Sequence, residues 1–551
     1  MKMFNTFLVA IVASSGLSTT VYAQTDTAAQ EAKIEKLEAA VNDLQSALSA
    51  VQGELSALRA SKRSEGSNTG PTSAATARAP GAPVAKIDAQ QPNRDLGFAP
   101  NTPTSAASAS IVSGHPSIQS NDGNFTANLL GVVQFDAASY FQSKPSGTDL
   151  RRGAAAGDTA HAQDLSDGTN FRRARIGIGG RAFGDFEYNI LYEFGGAGEE
   201  DAGHIQEAWV QYSGLKPFHL RAGAFSPFIG LEDAGSTNGM LFLERPDVSD
   251  VARSLGGGDF REGAQLVANT DRWFLSGAVT GRLVGVVNST ASGVAQPYDS
   301  QRAYIGRAAF VPFRGPDYLV HLGLHGSYVA KPADTTGPGA AATALRYPIQ
   351  FRERPELRVD GTRLIDTGAI DSNHAFTAGA EAAGVWRNFF LQAEYERLGI
   401  ERRNPAGTAG LTNPRFSGYY IEGSWIITGE QRKYNTGNFA FDGPPVARNF
   451  SLKDGTWGAV ELALRYSDID LNYHQGAAGS APAVDAVRGG DQQIFSAGVN
   501  WYLNPIVRIM FDYQHVTVER LSPNASTFST PLGAQVGQSY DVLAARSQIA
   551  F

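Results

Sequence analysis

From Asn124 to Phe551 the sequence predicts an all-β protein, a 16-stranded antiparallel transmembrane β-barrel behind an N-terminal α-helical coiled-coil segment and a flexible linker. Three observations predict it. Apolar and polar residues alternate with period two over segments of about ten or more residues, as in strands with one face in lipid and one in water. The connections between these segments alternate short and long. The last segment is apolar on one face (Leu543, Ile549, Phe551) and polar or small on the other (Ala544, Arg546, Gln548), and it ends on an aromatic.

The alternation is plain in four stretches. Phe218, Leu220, Ala222 and Ala224 alternate with His219, Arg221 and Gly223. Tyr318, Val320, Leu322, Leu324 and Tyr328 alternate with His321, Gly323, His325 and Ser327. Tyr419, Ile421, Trp425 and Ile427 alternate with Tyr420, Glu422 and Ser424. Val460, Leu462, Leu464 and Tyr466 alternate with Glu461 and Arg465. The expected strands are 124–142, 169–182, 185–195, 203–213, 217–227, 260–270, 272–282, 301–313, 317–330, 373–386, 389–402, 415–428, 456–473, 490–503, 506–519 and 539–551. Residues 345–354 also read as a strand, but an odd total would misplace a terminus, so they are assigned to an extracellular loop. Residues 429–455 make a long connection on the side where turns should be short. A β-sandwich also alternates, but its strands are usually about five or six residues. Tyr140, Phe141, Trp209, Trp273, Trp386, Trp501 and Tyr502 gather near strand ends, as interfacial aromatic girdles do.

The first 123 residues have other grammar. Lys2, an apolar stretch at 4–12 and Val21-Tyr22-Ala23 before Gln24 read as a signal peptide, 1–23. Within 24–60, Ile34, Leu37, Val41, Leu44, Leu48, Val51, Leu55 and Leu58 step by three and four, a coiled-coil heptad expected in the periplasm. Residues 61–123 are rich in Ala, Pro and Ser and poor in large apolar groups, which predicts a disordered linker. Residues 124–551 are the expected outer-membrane barrel.

Composition narrows the function. The hydrophobic fraction of 42% is too low for a polytopic helical membrane protein, and there is no cysteine to staple a secreted fold. The net charge of −8 argues against nucleic acid as a partner. No cofactor is expected. His321 and His325 share a strand face but lie about 13 Å apart along it, too far for one zinc. No G-x-S-x-G or comparable nucleophile motif stands out. A diffusion channel needs instead charges in a wet lumen. Strand parity sends Arg173, Arg175, Arg181, Arg221, Arg261, Arg307, Arg465, Arg508 and Arg546 inward. Arginine suits an oxyanion because its fork donates two hydrogen bonds and stays charged. Glu207, Glu381, Glu394, Glu396, Glu422, Glu461 and Asp512 also point inward, so pairing competes with ion contact.

Several motifs, in order, resemble the phosphate-selective porin O/P family. They are Phe171-Arg172-Arg173-Ala174-Arg175-Ile176-Gly177, Phe183-Gly184-Asp185-Phe186-Glu187-Tyr188, Ile205-Gln206-Glu207-Ala208, and Phe242-Leu243-Glu244-Arg245-Pro246. Later come Glu461-Leu462-Ala463-Leu464-Arg465-Tyr466-Ser467, Asn500-Trp501-Tyr502-Leu503-Asn504-Pro505, and Arg546-Ser547-Gln548-Ile549-Ala550-Phe551. The resemblance implies a trimeric outer-membrane channel for anions such as phosphate or polyphosphate, with an arginine ladder. It also implies that loop 228–259 folds inward as a constriction, with Ser236, Thr237, Arg245 and Arg253 as candidates. The chain departs from the family's central lysine cluster: after residue 123 it has only Lys144, Lys216, Lys331, Lys433 and Lys453. A general or organic-acid porin, or a structural protein tethering the envelope through its coiled coil, are the alternative readings.

Overall fold

The computed structural model describes residues 107–112, 114–143, 149–151, 161–196, 203–256, 260–284, 298–337, 339, 341, 344–403, 410–523 and 532–551. The expected signal peptide, the coiled coil and the linker up to residue 106 lie outside the described residues. Sixteen long strands form the wall. They are β1 Thr126–Ser143, β2 Gly168–Ala182, β3 Phe186–Gly196, β4 His204–Leu215, β5 Phe218–Phe225, β6 Arg261–Asn269, β7 Trp273–Leu283 and β8 Arg302–Arg314. The second half adds β9 Tyr318–Lys331, β10 Ile370–Trp386, β11 Phe389–Arg402, β12 Arg415–Ile426, β13 Ala459–Tyr473, β14 Val487–Tyr502, β15 Val507–Glu519 and β16 Ser539–Ala550. Each pairs antiparallel with the next, and β16 pairs with β1 from Ser539↔Ser143 to Ala550↔Val132. The barrel is therefore closed, and every strand edge is paired, the condition for backbone to sit in hydrocarbon.

The period-two pattern becomes two surfaces. Along β8 the residues alternate exposed and buried without a slip from Arg302 to Val311. Outward lie Leu322, Leu324, Leu391, Tyr395, Ile421, Leu464 and Phe495, all exposed, as a lipid-facing belt requires. Trp386, Phe389 and Trp425 stack at centroid separations of 6.1 and 6.0 Å beside the short turn joining β10 to β11. The three-residue β2–β3 turn, Phe183-Gly184-Asp185, carries two consecutive positive φ values, 54° and 79°, the second at a glycine that adopts it freely.

One register shift changes the inward set. Gln134 pairs with Arg173 but Phe135 pairs with Phe171, so Arg172 is the extra residue of a β-bulge. Arg172 and Arg173 are consequently both buried in the lumen. Strict alternation assigns Arg172 to lipid and cannot see the bulge.

The end of the stretch read as linker is ordered. Ala107–Val112 and His115–Ser120 form a hairpin, and residues 117–119 pair with the start of β1. Its turn residue Gly114 packs against Ile506, in the turn between β14 and β15. A mainly small and polar composition does not prevent pairing when an existing strand supplies the template.

Three segments enter the barrel. Between β5 and β6 run two short helices, α1 Leu231–Ala234 and α2 Asp247–Gly256, both largely buried. Between β9 and β10, residues 345–354 do belong to a loop. Pro348–Ile349 extends against β10, and Arg352–Glu353 pairs with Ile365–Asp366. Between β12 and β13, the long connection turns back into the lumen, where Tyr434–Asn435 pairs with Ala440–Phe441. Together they give the barrel an apolar interior. Leu243, Val248, Val251 and Leu255 pack with Phe351, Leu357 and Ile365 against the wall residues Ile400, Tyr420 and Ile469. Leu231, Leu241, Phe242, Phe439 and Phe441 form a second cluster against Phe274 and Phe390. Each such buried side chain contributes about 1.5–3 kcal/mol over its exposed state.

Closure is completed by Phe551. Its amide donates to the Gly131 carbonyl (2.9 Å), and the Gly131 amide donates to the Phe551 carbonyl (2.8 Å). Any side chain at position 131 would run into the Phe551 ring. Gly131→Leu is expected to destabilise the seam by about 1–3 kcal/mol through overpacking. The check is the fraction of unheated protein that keeps folded mobility on a detergent gel, which should fall relative to wild type.

Candidate functional site

The candidate site is the charged lumen. Its wall charges come from inward positions of the strands, and its inner charges from the inserted segments. The two sets meet at Glu244, in the loop between α1 and α2. Arg172 holds this carboxylate through Nε (2.7 Å) and Nη2 (3.1 Å), and Arg546 through Nη2 (2.9 Å). Arg546 also grips Asp136 with Nε (2.6 Å) and Nη2 (2.7 Å), and donates to the Leu243 carbonyl. Arg358 lies 3.8 Å from Glu244 and 3.4 Å from Asp250.

Most other predicted arginines are anchors as well. Arg307 pairs with Glu381 (2.9 Å) and donates to the carbonyls of Asn438 and Phe439 in the β12–β13 segment. Arg465 pairs with Glu356 and donates to the Glu244 carbonyl. Glu356 has φ of 52°, and its carboxylate also takes Ser467 and the Asp247 amide. That anchorage holds an unfavourable backbone conformation in place. Arg508 spends its fork on the carbonyls of Asn238 and Met240 and on Asn500. Arg175 pairs with Glu193 (2.5 Å), and Arg261 donates to the Gly281 carbonyl.

Of the β5–β6 connection, residues 228–256 are described, and they bond to inward groups of the wall. Glu394 receives the amides of Leu231 (2.5 Å) and Glu232 (3.1 Å), and Asp512 receives that of Leu243. Arg253 is bound to Asp233 (2.5 Å) and lies 3.6 Å from Asp250. Arg245 is buried 4.0 Å from Asp233 and its Nε has no partner. Ser236 is exposed, with its Oγ accepting the Asn238 amide, and Thr237 beside it is half-buried. The structure does not bring this hydroxyl pair to Arg245 or Arg253 through any hydrogen bond among the described residues.

Four predicted arginines have no carboxylate within 4.0 Å among the described residues: Arg173, Arg181, Arg221 and Arg508, the last of which is spent on carbonyls and Asn500. Arg173 is buried, donates to Gln134 (2.6 Å), and leaves Nε without a partner. Arg181 is exposed, and Arg221 is half-buried. Accessibility is uneven around the wall. On β2–β5 the inward groups Arg175, Glu187, Asn189, Glu207, Trp209, His219 and Arg221 keep partial access to water. On β9–β15 the inward groups His321, Glu381, Glu394, Glu422, Glu461, Arg465 and Asp512 are buried beneath the inserted segments.

Parity missed the network around His321 and His325. Both reach Glu381, His321 through Nε2 (3.0 Å) and His325 through Nδ1 (3.2 Å). His325 Nε2 also meets Glu396, and His321 Nδ1 meets the Tyr434 hydroxyl (2.8 Å). These bonds tie the β12–β13 segment to the wall. The signal available in sequence was a carboxylate on the neighbouring strand, since Gly323, between the two histidines, pairs with Glu381.

A closed, lipid-belted sixteen-stranded barrel with loops folded into a charged lumen defines an outer-membrane porin. The profile of the family described as Phosphate-selective porin O and P matches residues 149–551, and the chain belongs to that family. It is 25% identical over 429 residues to Porin O of Pseudomonas aeruginosa, covering 74% of this chain and 86% of that one. It is 27% identical over 428 residues to an uncharacterised protein of Caulobacter vibrioides, covering 76% and 74% of the two chains. Among solved structures it is similar to an anion-selective porin from Comamonas acidovorans, with 13% identity, a TM-score of 0.39, and 78% and 100% of the chains covered. OmpT of Vibrio cholerae in its trimer form gives 10% identity, a TM-score of 0.41, and 78% and 99% coverage. Family and fold point to a channel rather than an enzyme.

Glu244→Gln removes the charge that Arg172 and Arg546 share. Leaving buried guanidinium groups undercompensated is expected to cost about 3–5 kcal/mol. A fall in the urea midpoint, followed by tryptophan fluorescence in detergent, is the measurement.

Proposed function

We propose that this porin is an anion-preferring diffusion channel for phosphate or polyphosphate, working as a homotrimer with its N-terminal coiled coil in the periplasm. The observation that carries the reading is a local charge surplus. Arg172, Arg173, Arg175, Arg358 and Arg546 stand around Asp136, Glu193, Glu244 and Asp250, five cations against four carboxylates. Arg173 is the one left to a neutral partner, Gln134. A mobile oxyanion supplies what this cluster lacks, negative charge with acceptor oxygens spaced for a guanidinium fork. The family's description agrees with that chemistry. The shortage of lysine, and the involvement of most wall arginines in anchoring, favour modest selectivity over tight binding.

The test is the reversal potential of the full chain in a planar bilayer under a KCl gradient, followed by phosphate titration of the chloride current. Anion preference with inhibition by phosphate is expected. Anion preference without inhibition supports a general or organic-acid porin. Arg173→Gln should reduce the anion preference by about threefold or more, because it removes the unpaired charge. The envelope-tethering reading is separated by deleting residues 24–106, which spares the hairpin paired to β1. Conductance should survive this deletion if the barrel alone is the channel.

A further inference from the structure

We propose that Arg221, stacked on Trp209, is the selectivity-determining cation of the open lane along β2–β5, and that Trp209 and Gln211 are its positioning residues. The inference rests on the channel reading above and adds which side chains set its preference for small inorganic anions.

The argument begins with access. The inserted segments cover the β9–β15 side of the lumen, so ions are left the wall formed by β2–β5. Across that wall the register aligns Arg181 with Glu187, Glu187 with Gln211, and Gln211 with Arg221. This lateral row places one cation at each end and one acid between them.

Side-chain bonding then keeps the charges apart. Glu187 accepts from Gln211 Nε2 (3.1 Å). Glu207 accepts from Asn189 (2.7 Å) and from the Trp209 indole N–H (2.9 Å). Both acids are thus occupied by neutral donors, and neither lies within 4.0 Å of Arg221. Arg221 spends only Nε, on the Gln211 Oε1 (3.0 Å). Its guanidinium lies over the Trp209 ring, 4.1 Å from the centroid. Stacking fixes the plane while leaving the in-plane N–H groups to make hydrogen bonds.

Two other lumen arginines show what stacking means without this separation. Arg465 lies 4.4 Å from the centroid of Phe242, and Arg307 lies 5.4 Å from that of Phe274. Both are buried and each is ion-paired, to Glu356 and Glu381 respectively. Arg221 alone of these three combines a stacked guanidinium with partial water access and no carboxylate partner.

The experiment uses the full chain in planar bilayers, reading the chloride-to-potassium permeability ratio, with folding checked by gel mobility. Arg221→Gln should lower the ratio by about threefold or more. Gln211→Glu puts a carboxylate where the amide oxygen meets Arg221 Nε and replaces the donor to Glu187 by an acceptor, adding negative charge to the row, and should lower the ratio similarly. Trp209→Leu should lower it in part, while Trp209→Phe, which keeps an aromatic face, should restore most of it. If Arg221→Gln and Gln211→Glu both fold and keep the wild-type ratio, the proposal is overturned. If Trp209→Phe behaves like Trp209→Leu, the positioning role of the ring is overturned. A wild-type channel lacking anion preference would refute the reading of the preceding subsection. A ratio lowered by Arg221→Gln but unchanged in Arg173→Gln would support this assignment and overturn the role given to the Arg173 cluster in the preceding subsection.

Discussion

Closure of the sheet between β16 and β1 is the constraint on which everything else in this molecule depends. A closed ladder leaves no backbone edge for lipid, so the outer face can be wholly apolar. It also makes a bounded interior. Polar residues forced inward by the pleat must then find partners inside the ring. The side chains at the seam meet that demand: Gln134 bonds Gln548, and Asp136 bonds Arg546, on the strands that close the barrel.

The interior is solved as a charge-matching problem more than as an open tube. Wall arginines donate to carbonyls of the inserted segments, and wall carboxylates accept amides from them. Glu394 at the start of α1 and Asp512 at Leu243 are examples of the second kind. Arg307 and Arg508 are examples of the first. Such charge-assisted bonds, made away from bulk water, hold loops more firmly than exposed ion pairs would. The ring of charges that a sequence reader assigns to transport is therefore divided, one part holding segments in place and another left facing water.

Much of the fold was legible in the sequence because period two is a local property. Ile549 and Gln548 face opposite ways for the same reason that Leu464 and Arg465 do. The site was less legible because partners are not local. Asp136 and Arg546 are 410 residues apart, and Arg465 and Glu356 are 109 apart. Parity supplies the side of the wall but not the neighbour. A single bulge defeated it at Arg172, since one inserted residue reverses the alternation. The segment between β12 and β13 looked merely long. Its aromatic residues Tyr434, Phe439 and Phe441 were the trace of an inward course.

The bond set of Arg546 carries a consequence for assembly order. Its guanidinium joins β16 to Asp136 on β1 and also holds Glu244 and the Leu243 carbonyl of the inserted loop. All three attachments can exist together only after the loop is inside. Contacts so distant along the chain form late, because loop-closure entropy opposes them. Closing the ring gives Arg546 its Asp136 partner, and only the inserted loop supplies its Leu243 and Glu244 acceptors, so one side chain ties the seam of the barrel to the placement of the loop.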